Sequence, residues 1–140
     1  MKHRISLPAA AAALALGTAL LSVPGSAHHA FASEFDSSRP VVLSGIVTRV
    51  RLVNPHSWLY LDVRGANGEV TNWGFEFGTP SSLRQIGLTR TTVVPGTRVR
   101  IAGFRAKNGG PFGYSTTLVL PDGSSFETGG APDAPAPPVN

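Results

Sequence analysis

Between Val41 and Leu120 the hydrophobic period is two residues almost everywhere, and it changes once, at Thr79. Alternation puts one face of a strand on a core and the other on solvent, whereas a three-to-four residue spacing marks a helix. Three alternating runs precede the change. Val41–Leu52 has Val41, Leu43 and Val47 on one face, then Ile46, Val50 and Leu52 after a switch near Gly45, where a bulge or coil is expected. Asn54-Pro55-His56-Ser57 is a turn cluster. Trp58–Arg64 is the second strand. Asn67-Gly68 supplies the positive φ of a hairpin turn, and Glu69–Phe77 is the third strand. The helical stretch runs from Thr79 to Gly87. Thr79 can cap it, Pro80 suits its first turn, Leu83 and Ile86 face the core, and Gly87 stops it. Two more runs follow, Thr97–Phe104 and Phe112–Leu120, with a short extension at Ser125–Glu127.

Three strands, one short helix and two strands predict an all-β chain. The order fits a small five-stranded Greek-key barrel of the oligonucleotide/oligosaccharide-binding type, with its helix between strands three and four. A small open sandwich or roll is the rival. The predicted organisation is an export signal at 1–27, a polar arm at 28–40, the barrel at 41–128 and a disordered tail at 129–140. That tail, GGAPDAPAPPVN, has too little apolar surface to order itself.

The export signal rests on three adjoining features. Lys2 and Arg4 make a positive start, Pro8–Val23 is apolar, and Gly25-Ser26-Ala27 puts small residues before a cut after Ala27. The apolar run of about 16 residues is shorter than the roughly 20 that span a bilayer. The expectation is a periplasmic or secreted protein with no membrane span after cleavage. Loss of Lys2 and Arg4 lowers the formal charge from +4 to +2. A charge this small on an exported chain argues against nucleic acid as a partner. The chain has no cysteine, which excludes disulfides, zinc–thiolate sites, iron–sulfur clusters and thiol nucleophiles.

Cleavage after Ala27 leaves three histidines. His28 and His29 open the mature chain, and His56 projects from a turn. An N-terminal histidine can chelate one Cu(II) through its α-amine and Nδ1, and a second imidazole completes a nitrogen set that suits this ion. His28, His29 and His56 are therefore candidate copper ligands, against the plainer reading of a solvated end and a hydrogen-bonded turn residue. Among the acids, Glu34, Asp36, Asp62 and Glu76, one can orient an imidazole through its second nitrogen. Asp62 and Glu76 can also be read as a general acid–base pair. No nucleophile elbow, phosphate loop or dinucleotide fingerprint is present, so a binding module is expected rather than an enzyme.

Phe31, Asp36, Trp58, Arg49 and Arg51 are candidate ligand-binding residues. Phe31 can anchor the arm on the barrel with Trp58 as its partner. Strand aromatics can stack on sugars or bases, although most are needed for the core. Arg49 and Arg51 on strand one, with Arg98 and Arg100 on strand four, suggest a shared face for an anionic ligand.

His28-His29-Ala30-Phe31, Phe35-Asp36, Gly45-x-Val47, Asn54-Pro55-His56-Ser57-Trp58, Trp73-x-Phe75-Glu76-x-Gly78-x-Pro80-x-x-Leu83 and the stretch PGTRVRIAGFRAKNGG from Pro95 belong together. Over residues 28–127 the chain resembles a family of small secreted bacterial proteins known only as a domain of unknown function. The resemblance implies an exported single-domain protein and brings no activity. The expectation from the residues is a binding module for an unknown small ligand, with a copper site at its N-terminus. The alternative is an accessory or structural partner of an envelope or secreted complex, without metal.

Overall fold

The computed structural model describes residues 31–137. In chain order these form α1 (Phe31–Glu34), β1 (Phe35–Arg51), β2 (Ser57–Arg64), β3 (Val70–Phe77), α2 (Pro80–Gln85), β4 (Arg98–Ala106), β5 (Phe112–Val119) and β6 (Ser125–Glu127). The strands lie in the order β3-β2-β1-β4-β5-β6, each paired antiparallel with its neighbour. In addition β3 runs parallel to β5, from Gly74↔Phe112 to Glu76↔Tyr114. The pairings of β1, β2, β3, β5 and β4 therefore return to β1. Such a ring leaves few unpaired strand edges.

The length of β1 makes this possible. Its first half pairs with β4, as in Leu43↔Ile101, and its second half with β2, as in Val50↔Leu59. Ile46 stands opposite both Asp62 and Arg98, where the strand passes from one partner to the other. The register with β2 shifts between Val47 and Arg49, a little beyond Gly45. Gly45 answers a different need, because a Cβ there would lie 2.5 Å from the Asp62 carbonyl oxygen. The face switch is thus a bulge in one place and a close backbone approach in another.

Alternate residues of the ring fill the main core, among them Val47, Leu59, Leu61, Phe75, Val99, Ile101 and Leu118. Each such side chain contributes about 1.5–3 kcal/mol when fully buried. Helix α2 closes over this core with Leu83. The Thr79 hydroxyl accepts a hydrogen bond from the Ser82 N–H at 3.1 Å, and Pro80 occupies the first turn. Ile86, expected in the core, is 41% exposed. It is the C-cap residue, so the chain turns there, and Leu88 takes the buried place.

Two boundaries differ from those expected. The arm at 28–40 is not separate from the sheet in its described part, since Phe35–Pro40 already belongs to β1 and Phe31–Glu34 is a helical turn. The tail expected to be disordered from residue 129 crosses the outside of the ring as far as 137. Gly130 and Ala131 donate their N–H groups to the Tyr114 phenol oxygen at 2.7 and 2.8 Å. Asp133 accepts from the Phe31 and Ala32 N–H groups at 3.0 and 3.2 Å. A second apolar cluster of Phe31, Phe35, Phe104, Ala106 and Tyr114 lies beneath, with Ala131 and Ala134 against it. Composition is a poor guide here because the tail is held chiefly by backbone donors and one carboxylate, with only its Ala131 and Ala134 adding apolar contact.

Candidate functional site

The turn between β1 and β2 contains a cis Asn54–Pro55 bond and delivers His56 to the start of β2. The Ser57 N–H bonds to the Gly78 carbonyl at 3.1 Å, which ties the turn to the end of β3. On β3, Glu76 stands opposite Trp58 in β2 and Tyr114 in β5. The Glu76 carboxyl thus points to the outside of the ring, toward His56. His56 Nδ1 and Glu76 Oε1 are 2.7 Å apart, and the two side chains are 21% and 10% exposed.

One proton must lie between these atoms. With Glu76 ionised, His56 donates from Nδ1, and its Nε2 lone pair is left to bind something else. With Glu76 protonated, the carboxyl donates to Nδ1, and Nε2 carries the hydrogen. Burial, helped by the nearby negative charge of Glu34, pushes the Glu76 carboxyl up to about 7. Beside the pair is a cavity of about 40 Å³ whose lining includes Tyr114, Thr79 and Gly130. A water needs roughly 10–15 Å³, so the space beside the pair is on the scale of an ion or a few waters.

The structure brings together only part of the predicted site. His28 and His29 lie outside the described residues. Among the described residues no three His, Cys, Asp or Glu side chains gather to hold a metal ion. Phe31 anchors the N-terminal segment as expected, but on Phe35, Phe104 and Tyr114, with ring centroids 5.2–5.6 Å away, rather than on Trp58. At 4% exposure it serves the packing of the second cluster. Asp36 accepts from the Ser38 N–H and O–H groups at 2.9 and 2.6 Å, which hold its carboxyl below the usual range. Among the described residues it orients no imidazole. Asp62 accepts from Asn72 Nδ2 at 2.8 Å, four residues along β2 from Trp58, the position opposite Glu76. The two acids therefore form no pair.

The four arginines of the expected anionic-ligand face are exposed, at successive places along β1. Pairing of β1 with β4 ends at Ile46↔Arg98, and Arg49 and Arg51 lie beyond it, opposite Tyr60 and Trp58 of β2. The Arg49 guanidinium sits 4.3 Å from the centre of the Tyr60 ring. Trp58 is half-buried beside Tyr60 and Phe112, on the outer face of the sheet. Tyr114 was legible only as a strand aromatic. Its role beside Glu76 depends on the parallel β3–β5 pairing, which leaves no local mark in the chain.

No curated protein shows a significant match to this chain. A family of unknown function, DUF6152, matches residues 16–115, a span that includes His56, Glu76 and Tyr114. The match covers well over half of the sequence, and the chain belongs to that family.

Proposed function

We propose that this protein is an exported binding module, a five-stranded Greek-key barrel of the oligonucleotide/oligosaccharide-binding type, that holds Cu(II) at its mature N-terminus. The ring of pairings through β1, β2, β3, β5 and β4, with α2 between β3 and β4, supports the barrel reading. The export reading rests on the signal pattern before Ala27 and implies a periplasmic or secreted location. The observation that carries the copper reading is the 2.7 Å contact between His56 Nδ1 and Glu76 Oε1. A carboxylate on one imidazole nitrogen turns the other toward a metal and raises its basicity.

The α-amine and Nδ1 of His28 would supply two further nitrogens, with His29 as an additional imidazole. Reach favours the arrangement. The Phe31 ring is 5.2 Å from that of Tyr114, and Tyr114 lines the cavity beside His56 and Glu76. Only His29 and Ala30 separate Phe31 from His28, three chain steps that span up to about 10 Å.

Acetylation of the α-amine tests this reading, because it removes that ligand and leaves every imidazole. Cu(II) affinity of the mature protein should fall by more than about tenfold on acetylation, or about 1.4 kcal/mol. His56→Ala should also weaken binding, and Glu76→Gln should weaken it by about 10–100-fold. Copper bound equally well by all three altered proteins would reduce the site to incidental histidine affinity. A mature chain found by N-terminal sequencing to start beyond His29 would remove the proposed site.

A further inference from the structure

Trp58, Tyr60 and Phe112 are not used by the metal reading, and they share the outer face of the sheet. The Trp58 and Tyr60 rings are stacked, 6.3 Å apart at 23°, and Phe112 meets Trp58 edge-on at 6.5 Å and 85°. Gly74, opposite Tyr60 and Phe112, makes this grouping possible. A Cβ at Gly74 would come within 2.9 Å of the Phe112 ring and 3.2 Å of Tyr60. Arg49 covers Tyr60. The rings are thus fixed before any ligand arrives, which lowers the ordering cost of binding. Phe112 nevertheless remains 39% exposed.

Trp58 and Phe112, with Phe35 and Ala106, supply the apolar lining of a hollow of about 380 Å³, and Ser33, Glu34, Lys107 and Asn108 form its polar side. That side is also braced. The Lys107 N–H bonds to the Glu34 carbonyl at 2.9 Å, and its ammonium group to the Ala32 carbonyl at 2.6 Å. Asn108 Oδ1 accepts the Gly110 N–H at 2.9 Å, which leaves the amide NH₂ as a donor for a ligand. Flat apolar rings on one side face a carboxylate, a hydroxyl, an amide and an ammonium group on the other. Glu34 and Lys107 balance in charge, so the hollow does not have the cationic lining that a phosphate backbone requires.

We infer that the Trp58–Phe112 hollow is a binding site for a neutral saccharide, with a pyranose ring lying on Trp58 and its hydroxyls on Asn108 and Lys107. A pyranose has the matching two-sided character, apolar C–H faces and a rim of hydroxyls. The site does not depend on copper, and its test is done in EDTA.

The probes are cellohexaose, chitohexaose and maltohexaose, titrated calorimetrically into the purified protein, with decathymidylate and decaproline as competitors of other chemistry. At least one hexaose should bind and should alter tryptophan emission. The chain has two tryptophans, and Trp73 is 8% exposed, so the change reports Trp58. Trp58→Ala and Phe112→Ala should each weaken binding by about tenfold or more. Asn108→Ala, in an exposed turn, should weaken it severalfold while losing only the Gly110 N–H contact, so the protein stays folded at the titration temperature and loss of fold is not the cause. Absence of binding by all three hexaoses overturns the inference. Binding of decathymidylate or decaproline in their place overturns it too, as does hexaose binding that survives both Trp58→Ala and Asn108→Ala.

Discussion

Glu76 is placed where its two protonation states have different consequences. Burial and Glu34 raise its pKa from an ordinary 4.5 to about 7. A carboxyl raised in the folded state favours folding while it is protonated. That contribution is fully present below about pH 4.5 and is lost as pH rises through about 7. Glutamine cannot ionise. The melting temperature of Glu76→Gln minus that of the native protein should therefore increase between pH 4.5 and 8. A difference that stays constant over this range would show that Glu76 titrates normally. The same ionisation sets the imidazole tautomer, since only the carboxylate form leaves the His56 Nε2 lone pair exposed. Cu(II) affinity is accordingly expected to depend on pH near neutrality in the native protein, and less so in Glu76→Gln.

At the scale of elements, β4 and α2 show how closely packing follows period. Val99 and Ile101 alternate with Arg98 and Arg100, and the first two are 2% and 0% exposed. Ile101→Ala should cost about 2–4 kcal/mol in chemical denaturation, from lost transfer energy and the cavity left behind. A loss below about 0.5 kcal/mol would mean that the core closes over the gap or that β4 does not face it. Ile86 is a useful contrast, as a residue that helical spacing also directs inward. It is exposed at the end of α2, and Ile86→Ala should change stability by less than about 0.5 kcal/mol. In β4 exposed and buried residues alternate strictly from Arg98 to Ile101, whereas α2 ends after six residues, before its spacing can settle which residue turns in.

For the molecule as a whole, the two ends of the described chain meet on the outside of β5. Tyr114 accepts two N–H bonds from the tail, while Phe31 packs on its ring and Asp133 caps the turn that carries Phe31. Tyr114→Phe keeps the ring and removes the acceptor. The expected cost is about 1–2 kcal/mol for two partly buried N–H groups left without it. Limited proteolysis followed by mass measurement should then release the segment after Gly129 sooner than in the native protein. Equal release rates would show that the phenol does not hold the tail. Because Tyr114→Phe keeps the ring on which Phe31 packs, it should weaken the proposed copper binding less than His56→Ala does.

The amino-acid sequence by itself determined the all-β character, the order of strands and helix, the turns, the cap on α2 and the inward faces of β2 and β4. These depend on residues within a few positions of one another, through side-chain alternation, capping and glycine or proline geometry. It also singled out His56 and named Glu76 among the acids able to orient an imidazole, but without choosing it over Asp36 or Asp62. That choice needed the register of β2 against β3 and the fold of the turn at His56, because a one-residue slip would turn Glu76 inward. The point where β1 leaves β4 for β2 set Arg49 and Arg51 beyond Arg98 and Arg100, and no local pattern marks it. The order of the tail was decided in the same way. Its partners, Tyr114 and the N–H groups of α1, are 16 to 102 residues distant in the chain, and only the folded ring brings them within hydrogen-bonding reach.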